Sequence, residues 1–233
     1  EGFGLYRMGD DAALMPHIDL ANVACGFHAS DPSIMRSTVR LAKQHGVKVG
    51  AHPSLSDMQG FGRRVMAVSP AEVTDFVAYQ TGALKAFLDA EGMALNHVKP
   101  HGALYGMAAR DDKIASAIAD AVRPFGVPLL GMAFTAQERM YKEKGVAMLG
   151  EFYADMQYDP EGNLILRRVH DDVAQEHEAV RVLRAIREGA VATTAGRDIP
   201  VKAQTICVHS DTPSAPAIAA AVKRALEQAA GGA

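Results

Sequence analysis

The chain has 233 residues, 48% of them hydrophobic and 22% charged, with a formal net charge of −3. That is ordinary globular composition, long enough to bury a sizeable core in one large α/β domain or two small ones. No basic block is present, which argues against nucleic acid or an anionic membrane surface as a partner, and no apolar run is long enough to span a bilayer. The two cysteines, Cys25 and Cys207, both end apolar runs and read as buried free thiols of a reducing, cytoplasmic setting.

Residues 1–9 are glycine-rich and read as a loop, and residues 10–15 as one short helical turn. Residues 18–24 form a first strand that delivers Asn22, Cys25 and His28 to its far end. Asp31-Pro32 then supplies an N-cap with proline at the first helical position, opening a helix that Gly46 stops. Residues 47–51 are a short strand running into His52-Pro53. Residues 54–68 have no clear period; Asp57, Gly60, Gly62, Arg63 and Arg64 mark them as a functional loop over a scaffold. Ser69-Pro70-Ala71-Glu72 is a capping box, and Val73, Phe76, Val77, Gln80, Leu84 and Leu88 continue one helical face to Gly92. A strand into His97 follows, with a helix-like segment after it and a helix over residues 111–123. Further strands are expected at 128–132, 146–150 and 205–208, and further helices at 135–144, 174–188 and 213–227. Asp159-Pro160-Glu161-Gly162 reads as the turn of a hairpin between Tyr158 and Leu164-Ile165-Leu166.

Six strands alternating with helices predict a parallel βαβ sheet, with every strand's carboxyl end on one face. A strand upstream of Glu1 makes seven. The same pattern recurs at four strand exits: an apolar run, then a histidine beside Gly, Pro or Asp. It gives His28, His52, His101 and His209, read together as one site on the face where α/β folds keep their sites. Converging histidines raise metal binding, with His28 and His52 as the candidate ligands of a divalent ion. Lys99 and His101 flank Pro100 and, two residues apart in an extended segment, face the same side. Lys99 is then a fixed cation for an anionic substrate or phosphate, and His101 a proton carrier. Arg63 and Arg64 suit a carboxylate or phosphate; Asp57 and Asp211 are candidate bases or orienters of a histidine. His17, His45, His170 and His177 read as surface residues. No Gly-x-Ser-x-Gly elbow, Walker A motif or Gly-x-Gly-x-x-Gly fingerprint occurs.

Glu1-Gly2-Phe3-Gly4, Ala24-Cys25-Gly26-Phe27-His28-Ala29-Ser30-Asp31-Pro32, Gly50-Ala51-His52-Pro53-Ser54 and Gly60-Phe61-Gly62-Arg63-Arg64 resemble the LamB/YcsF family. So do Tyr79-Gln80-Thr81-Gly82-Ala83-Leu84, the stretch from His97 to Tyr105, and the stretch from Thr205 to Asp211. The resemblance covers nearly the whole chain. It implies a distorted seven-stranded (β/α) barrel similar to the glycoside hydrolase/deacetylase superfamily, as one domain whose first strand lies upstream of residue 1. It also implies ATP-dependent opening of 5-oxo-L-proline to L-glutamate, or of a related lactam, together with separate B and C subunits. From their own side-chain chemistry, not from the resemblance, His101, Lys99, His209 and Asp211 are the candidate catalytic residues. Glu1, His28, His52, Asp57, Arg63 and Tyr105 are candidates for binding substrate or nucleotide. The chain departs from the family pattern at Tyr153-Ala154-Asp155-Met156, where the family usually has Phe-Ala-Asp-Arg, and at Ser30 and Ser210, where it has glycine. Two alternatives remain open: a metal-dependent amide or carbohydrate hydrolase of the deacetylase type working without ATP, and a non-catalytic scaffold.

Overall fold

The computed structural model describes residues 2–165 and 175–231. A small antiparallel hairpin, β1 (Gly2–Phe3) and β2 (Tyr6–Arg7), comes first, followed by the short helix α1 (Asp11–Leu14). The main alternation then runs β3 (Leu20–Ala24), α2 (Pro32–Gln44), β4 (Lys48–His52), α3 (Pro70–Ala90), β5 (Leu95–Val98), α4 (Gly102–Arg110), α5 (Asp112–Val122), β6 (Leu129–Gly131), α6 (Ala136–Glu143) and β7 (Met148–Tyr153). After it come α7 (Gln175–Glu188), the hairpin β8 (Ala190–Ala192) and β9 (Asp198–Pro200), β10 (Thr205–Cys207) and α8 (Ala215–Gly231).

Six strands pair in parallel in the order β10-β7-β6-β5-β4-β3. These short runs are apolar on both faces because helices cover one side and side chains fill the other. Val23, Val49, Ala51, Val98 and Leu129 are wholly or almost wholly buried, packed with Val77, Leu84 and Leu88 of α3 and Ile118 of α5. A second apolar cluster joins Phe152 and Cys207 to Val182 of α7 and Ile218 and Val222 of α8. β3 and β10 are the two edges of the sheet, and both border one cavity of about 390 Å³. The sheet is thus an open, barrel-like α/β layer of six strands among the described residues. Among them, too, no helix is long and apolar enough to cross a membrane.

All six expected strands form, and the helix ends obey the expected chemistry. The Asp31 carboxylate accepts from the N–H groups of Ser33 and Ile34, and Ser69 with Glu72 makes both bonds of the capping box. Three stretches differ from expectation. Residues 2–7 form a hairpin rather than a loop, tied down where Ser30 N–H donates to the Gly2 carbonyl and Gly4 N–H to Asp31. Residues 190–200 hold a second hairpin whose strands are too short to show a period. Helix α8 starts at Ala215 rather than 213, because Ser214 sits at φ 61° and cannot belong to a right-handed helix. Of the expected hairpin at 158–166, Tyr158 and Leu164 pair antiparallel; Leu166, His170 and residue 174 lie outside the described residues.

Candidate active site

The strand exits converge because each is pinned to its neighbour. Proline after His52 and after Lys99 keeps both residues extended, so their chains run side by side. Lys99 N–H donates to the Ala51 carbonyl at 2.9 Å and His101 N–H to the Pro53 carbonyl at 2.8 Å. The loop of residues 54–68 then folds down on them. Gly62, at φ +66°, lies so close that a Cβ there would collide with Ser54 Oγ and come within 2.7 Å of His101 Cδ2. Only glycine fits such a left-handed, crowded position. His28, His52, His101 and His209 all border the same cavity, with Lys99, Cys207 and Asp211.

On the β3–β5 side three imidazoles form one cluster. His28 stacks on His101 with ring centroids 3.8 Å apart, and the ligand-capable nitrogens of His28, His52 and His101 lie within 4.8 Å of one another. Carbonyl oxygens only accept, so the ring nitrogens facing them carry hydrogen. His52 Nδ1 donates to the Lys99 carbonyl at 2.7 Å, and His101 Nε2 to the Phe61 carbonyl at 2.7 Å. The nitrogens left over, His52 Nε2 and His101 Nδ1, face each other at 3.0 Å as two lone pairs. His28 Nδ1 is buried with no hydrogen-bond partner. Burial lowers all three pKa values, that of His101 to about 3, with the charge of Arg63 pressing on His28 and His101 and that of Lys99 on His52. The cluster is neutral, the form in which imidazole binds a metal. Its donor set fits a divalent ion: two lone pairs at cis-ligand separation and an orphaned third.

On the β7–β10 side the groups are charged. The Lys99 ammonium is buried, ion-paired with Glu151 at 2.7 Å, 3.0 Å from Cys207 Sγ and 4.9 Å above the Tyr153 ring. Burial pulls its pKa down, but the Cys207 sulfur and the Glu151 carboxylate beside it outweigh that and hold it above the ordinary lysine value. Asp155, two residues past β7, holds His209. Its Oδ1 accepts from His209 Nδ1 at 2.9 Å, and its Oδ2 from His209 N–H at 2.8 Å and the Thr212 hydroxyl at 2.7 Å. Burial works against the charged form of each partner. For His209 the Cys207 sulfur and the Asp155 carboxylate prevail and raise its pKa well above the usual value. For Asp155 the charge of His209 and its hydrogen bonds prevail and hold the carboxyl well below the carboxylate range.

The other residues singled out from the sequence fall as follows. Arg63, nearly buried, forks onto Asp211 at 2.8 and 3.1 Å, with its guanidinium 4.9 Å above the Phe61 ring. Asp211 therefore faces Arg63 at the cavity, while Asp155 orients His209. Asp57 accepts from Gly60 N–H and from Arg64, closing its own loop as a buried strut. Tyr105 packs edge-to-face on Tyr153 at 5.8 Å and borders a small adjoining pocket of about 30 Å³ with His52, Arg63, Lys99, His101 and His209. Glu1 lies outside the described residues. His45 and His177 are exposed and His17 half-buried. Sequence reasoning gave no role to Asp155, Glu151 or Cys207, although Cys207 ends β10 and Asp155 lies just past β7, the signal that found the histidines; Glu151 lies inside β7.

An open parallel α/β barrel whose strand exits gather ion-paired and hydrogen-bonding groups round one cavity defines the class of folds that keep a small-molecule site at this end. Within that class, the chain belongs to the LamB/YcsF family, whose model matches residues 1–232. It is 46% identical over 98% of its length, and 92% of the relative's, to a Chloroflexus aggregans protein named as the A subunit of 5-oxoprolinase. It is 43% identical over 98% of its length, and 91% of the relative's, to the lactam utilization protein lamB of Emericella nidulans. The crystal structure of the lactam utilization protein from Thermus thermophilus matches 99% of this chain and 94% of its own at a TM-score of 0.90 and 45% identity.

Proposed function

We propose that this chain is the A component of an ATP-dependent 5-oxoprolinase, opening 5-oxo-L-proline or a close lactam to L-glutamate together with B and C subunits. The observation that carries the reading is the similarity, across 98% of the chain, to relatives named as the A subunit of 5-oxoprolinase and as lactam utilization protein. A cavity of about 390 Å³ is of a size for a small ring. Opening a five-membered lactam needs a polarised carbonyl, a nucleophile and a proton for the departing nitrogen. His209, kept protonated by Asp155, is the acid for that nitrogen, and the Lys99 ammonium steadies negative charge beside it. Arg63, with two guanidinium nitrogens already arranged for a carboxylate, suits the substrate's acid group by exchange with Asp211.

The same reading takes the barrel as completed by a further strand between β3 and β10, since both edges border the cavity without pairing to each other. A divalent ion is its candidate cofactor at His28, His52 and His101; bound there, it would polarise a carbonyl or a water. The facing lone pairs of His52 and His101 also favour a second reading, a metal-dependent amide or carbohydrate hydrolase that works without ATP. One assay separates the two. ATP hydrolysis by the chain with its partner subunits should rise on adding 5-oxoproline; lactam opening without ATP by metal-loaded chain alone overturns the first reading in favour of the second.

A further inference from the structure

We infer that Cys207 is the covalent nucleophile of this cavity, set up by a Cys207–His209–Asp155 relay with the Lys99 ammonium against its sulfur. The inference rests on the lactam reading for its substrate only; the relay stands on the geometry. Asp155 is fixed through both oxygens, so His209 Nδ1 must be the nitrogen that carries hydrogen toward it. In the neutral ring the remaining lone pair is on Nε2, which lies 3.9 Å from Cys207 Sγ, at hydrogen-bonding range for sulfur. Lys99 has only donors, so across its 3.0 Å contact the sulfur accepts. A thiol hydrogen is then directed away from Lys99 and toward His209. Its transfer leaves a thiolate between an ammonium and an imidazolium, the arrangement that activates cysteine nucleophiles.

Among the described residues, the other titratable groups beside the sulfur are Glu151, which shares Lys99, and the phenols Tyr153 and Tyr158. Cys207 borders the cavity at a strand's carboxyl end, although only 6% of its surface is exposed. Cys25 makes the contrast within the same chain: equally buried, it gives its thiol hydrogen to the Val23 carbonyl at 3.2 Å.

The step balances with lactam and one water. The thiolate adds to the ring carbonyl carbon, and the carbonyl π pair moves to oxygen. Collapse of that adduct breaks the C–N bond, and the ring nitrogen leaves as an amine with the proton His209 took from sulfur. The ring-opened acid is then a thioester of Cys207. Water adds to the thioester carbon and gives a proton to His209 Nε2, and the sulfur leaves as thiolate, restoring the pair.

The test is alkylation of the native chain by iodoacetamide, with each cysteine followed by peptide mass spectrometry across pH. Cys207 should react about tenfold or more faster than Cys25. Asp155→Asn and His209→Gln, checked for native melting, should slow Cys207 and leave Cys25 unchanged. Equal rates for the two cysteines, or variants that leave the rate of Cys207 unaltered, overturn the relay. In the assembled complex, Cys207→Ala and Cys207→Ser should lower lactam turnover about a hundredfold or more, and acid-quenched native protein should carry the lactam-derived acyl mass on the Cys207 peptide. Turnover by Cys207→Ala close to native overturns the nucleophile while the lactam reading stands. If the native complex opens no lactam at all, that reading fails, and the alkylation rates still decide whether Cys207 is activated.

Discussion

On the β3–β5 side of the cavity His28, His52 and His101 are held neutral, whereas on the β7–β10 side His209 is held charged; His28 and His101 are buried, and His52 and His209 partly so. Burial presses every one of them toward the neutral form, so burial does not distinguish them. Their partners do. His52 and His101 meet carbonyl oxygens, whose dipoles are too weak to offset desolvation, while His209 meets the Asp155 carboxylate and the Cys207 sulfur. One residue type is thus held in two states on two sides of one cavity, neutral at His28, His52 and His101 and charged at His209. Four variants test this division.

The largest effect is expected from Lys99, because the charged side is internally balanced. Lys99→Met removes the ammonium and leaves Glu151 as a buried carboxylate without a counter-charge, which costs about 3–5 kcal/mol. A fixed cation free to bind an anion, as the sequence suggests, would instead leave Lys99→Ala folded with weaker ligand binding. Urea unfolding of Lys99→Met against Lys99→Met/Glu151→Gln separates them: the double variant should recover most of the loss. A single variant as stable as the native chain would mean that Glu151 is not held by Lys99.

Next come His209, the acid of the proposed mechanism, and His101, one of the candidate ligands. Asp155→Asn removes the negative charge that keeps His209 protonated and should lower turnover about a hundredfold or more, the scale of lost general acid–base catalysis, with KM little changed. Its pH profile should lose its alkaline limb at lower pH than in the native complex, since the raised pKa of His209 falls. His101→Ala should lower turnover by a similar factor without moving that limb, because His101 is neutral throughout. Identical pH profiles for the two variants would erase the distinction between the sides.

Most of the frame was legible in the sequence, and the reason is local. Strand runs such as Val47 to Ala51, the Asp31-Pro32 cap and the Ser69–Glu72 box act within a few residues, so they read directly. The convergence of His28, His52, His101 and His209 followed from one topological rule, that parallel strands end on one face. What stayed hidden was pairing across the sheet. Nothing local says that Asp155 rather than Asp211 orients His209, or that Lys99 spends its charge on Glu151, because those partners lie 54 and 52 residues apart and meet only through strand order. Cys207 was invisible for a further reason: a cysteine ending an apolar run looks the same whether a carbonyl or an ammonium waits beyond it, and Cys25 and Cys207 have one of each.

The smallest effect concerns stability on the neutral side, where His97 offers a readout away from the reacting groups. It is fully buried between the side chains of Asn22 and Asn96, and a Cβ on Gly50 would collide with its ring. Burial, with the charge of Lys99 adding, lowers its pKa to about 4. In the unfolded chain it titrates near the ordinary value of about 6.5, so the unfolded state takes up the proton first. Its contribution to stability is therefore complete above about pH 6.5 and is lost as pH falls toward about 4, at about 1.4 kcal/mol per pH unit. His209 is shifted the other way and changes its contribution above about pH 6.5, and the depressed carboxyl of Asp155 acts only below about pH 4, so neither distorts this window. Between about pH 6.5 and 5.5 the native chain should lose about 1 kcal/mol through His97 alone, on top of like losses from His28, His52 and His101. Urea unfolding at the two pH values isolates it: His97→Asn should be less stable at the higher pH but lose less on acidification, by that same amount. An unaltered slope in the variant would mean that His97 takes its proton without unfolding, and that the β3–β5 side is not kept neutral by burial.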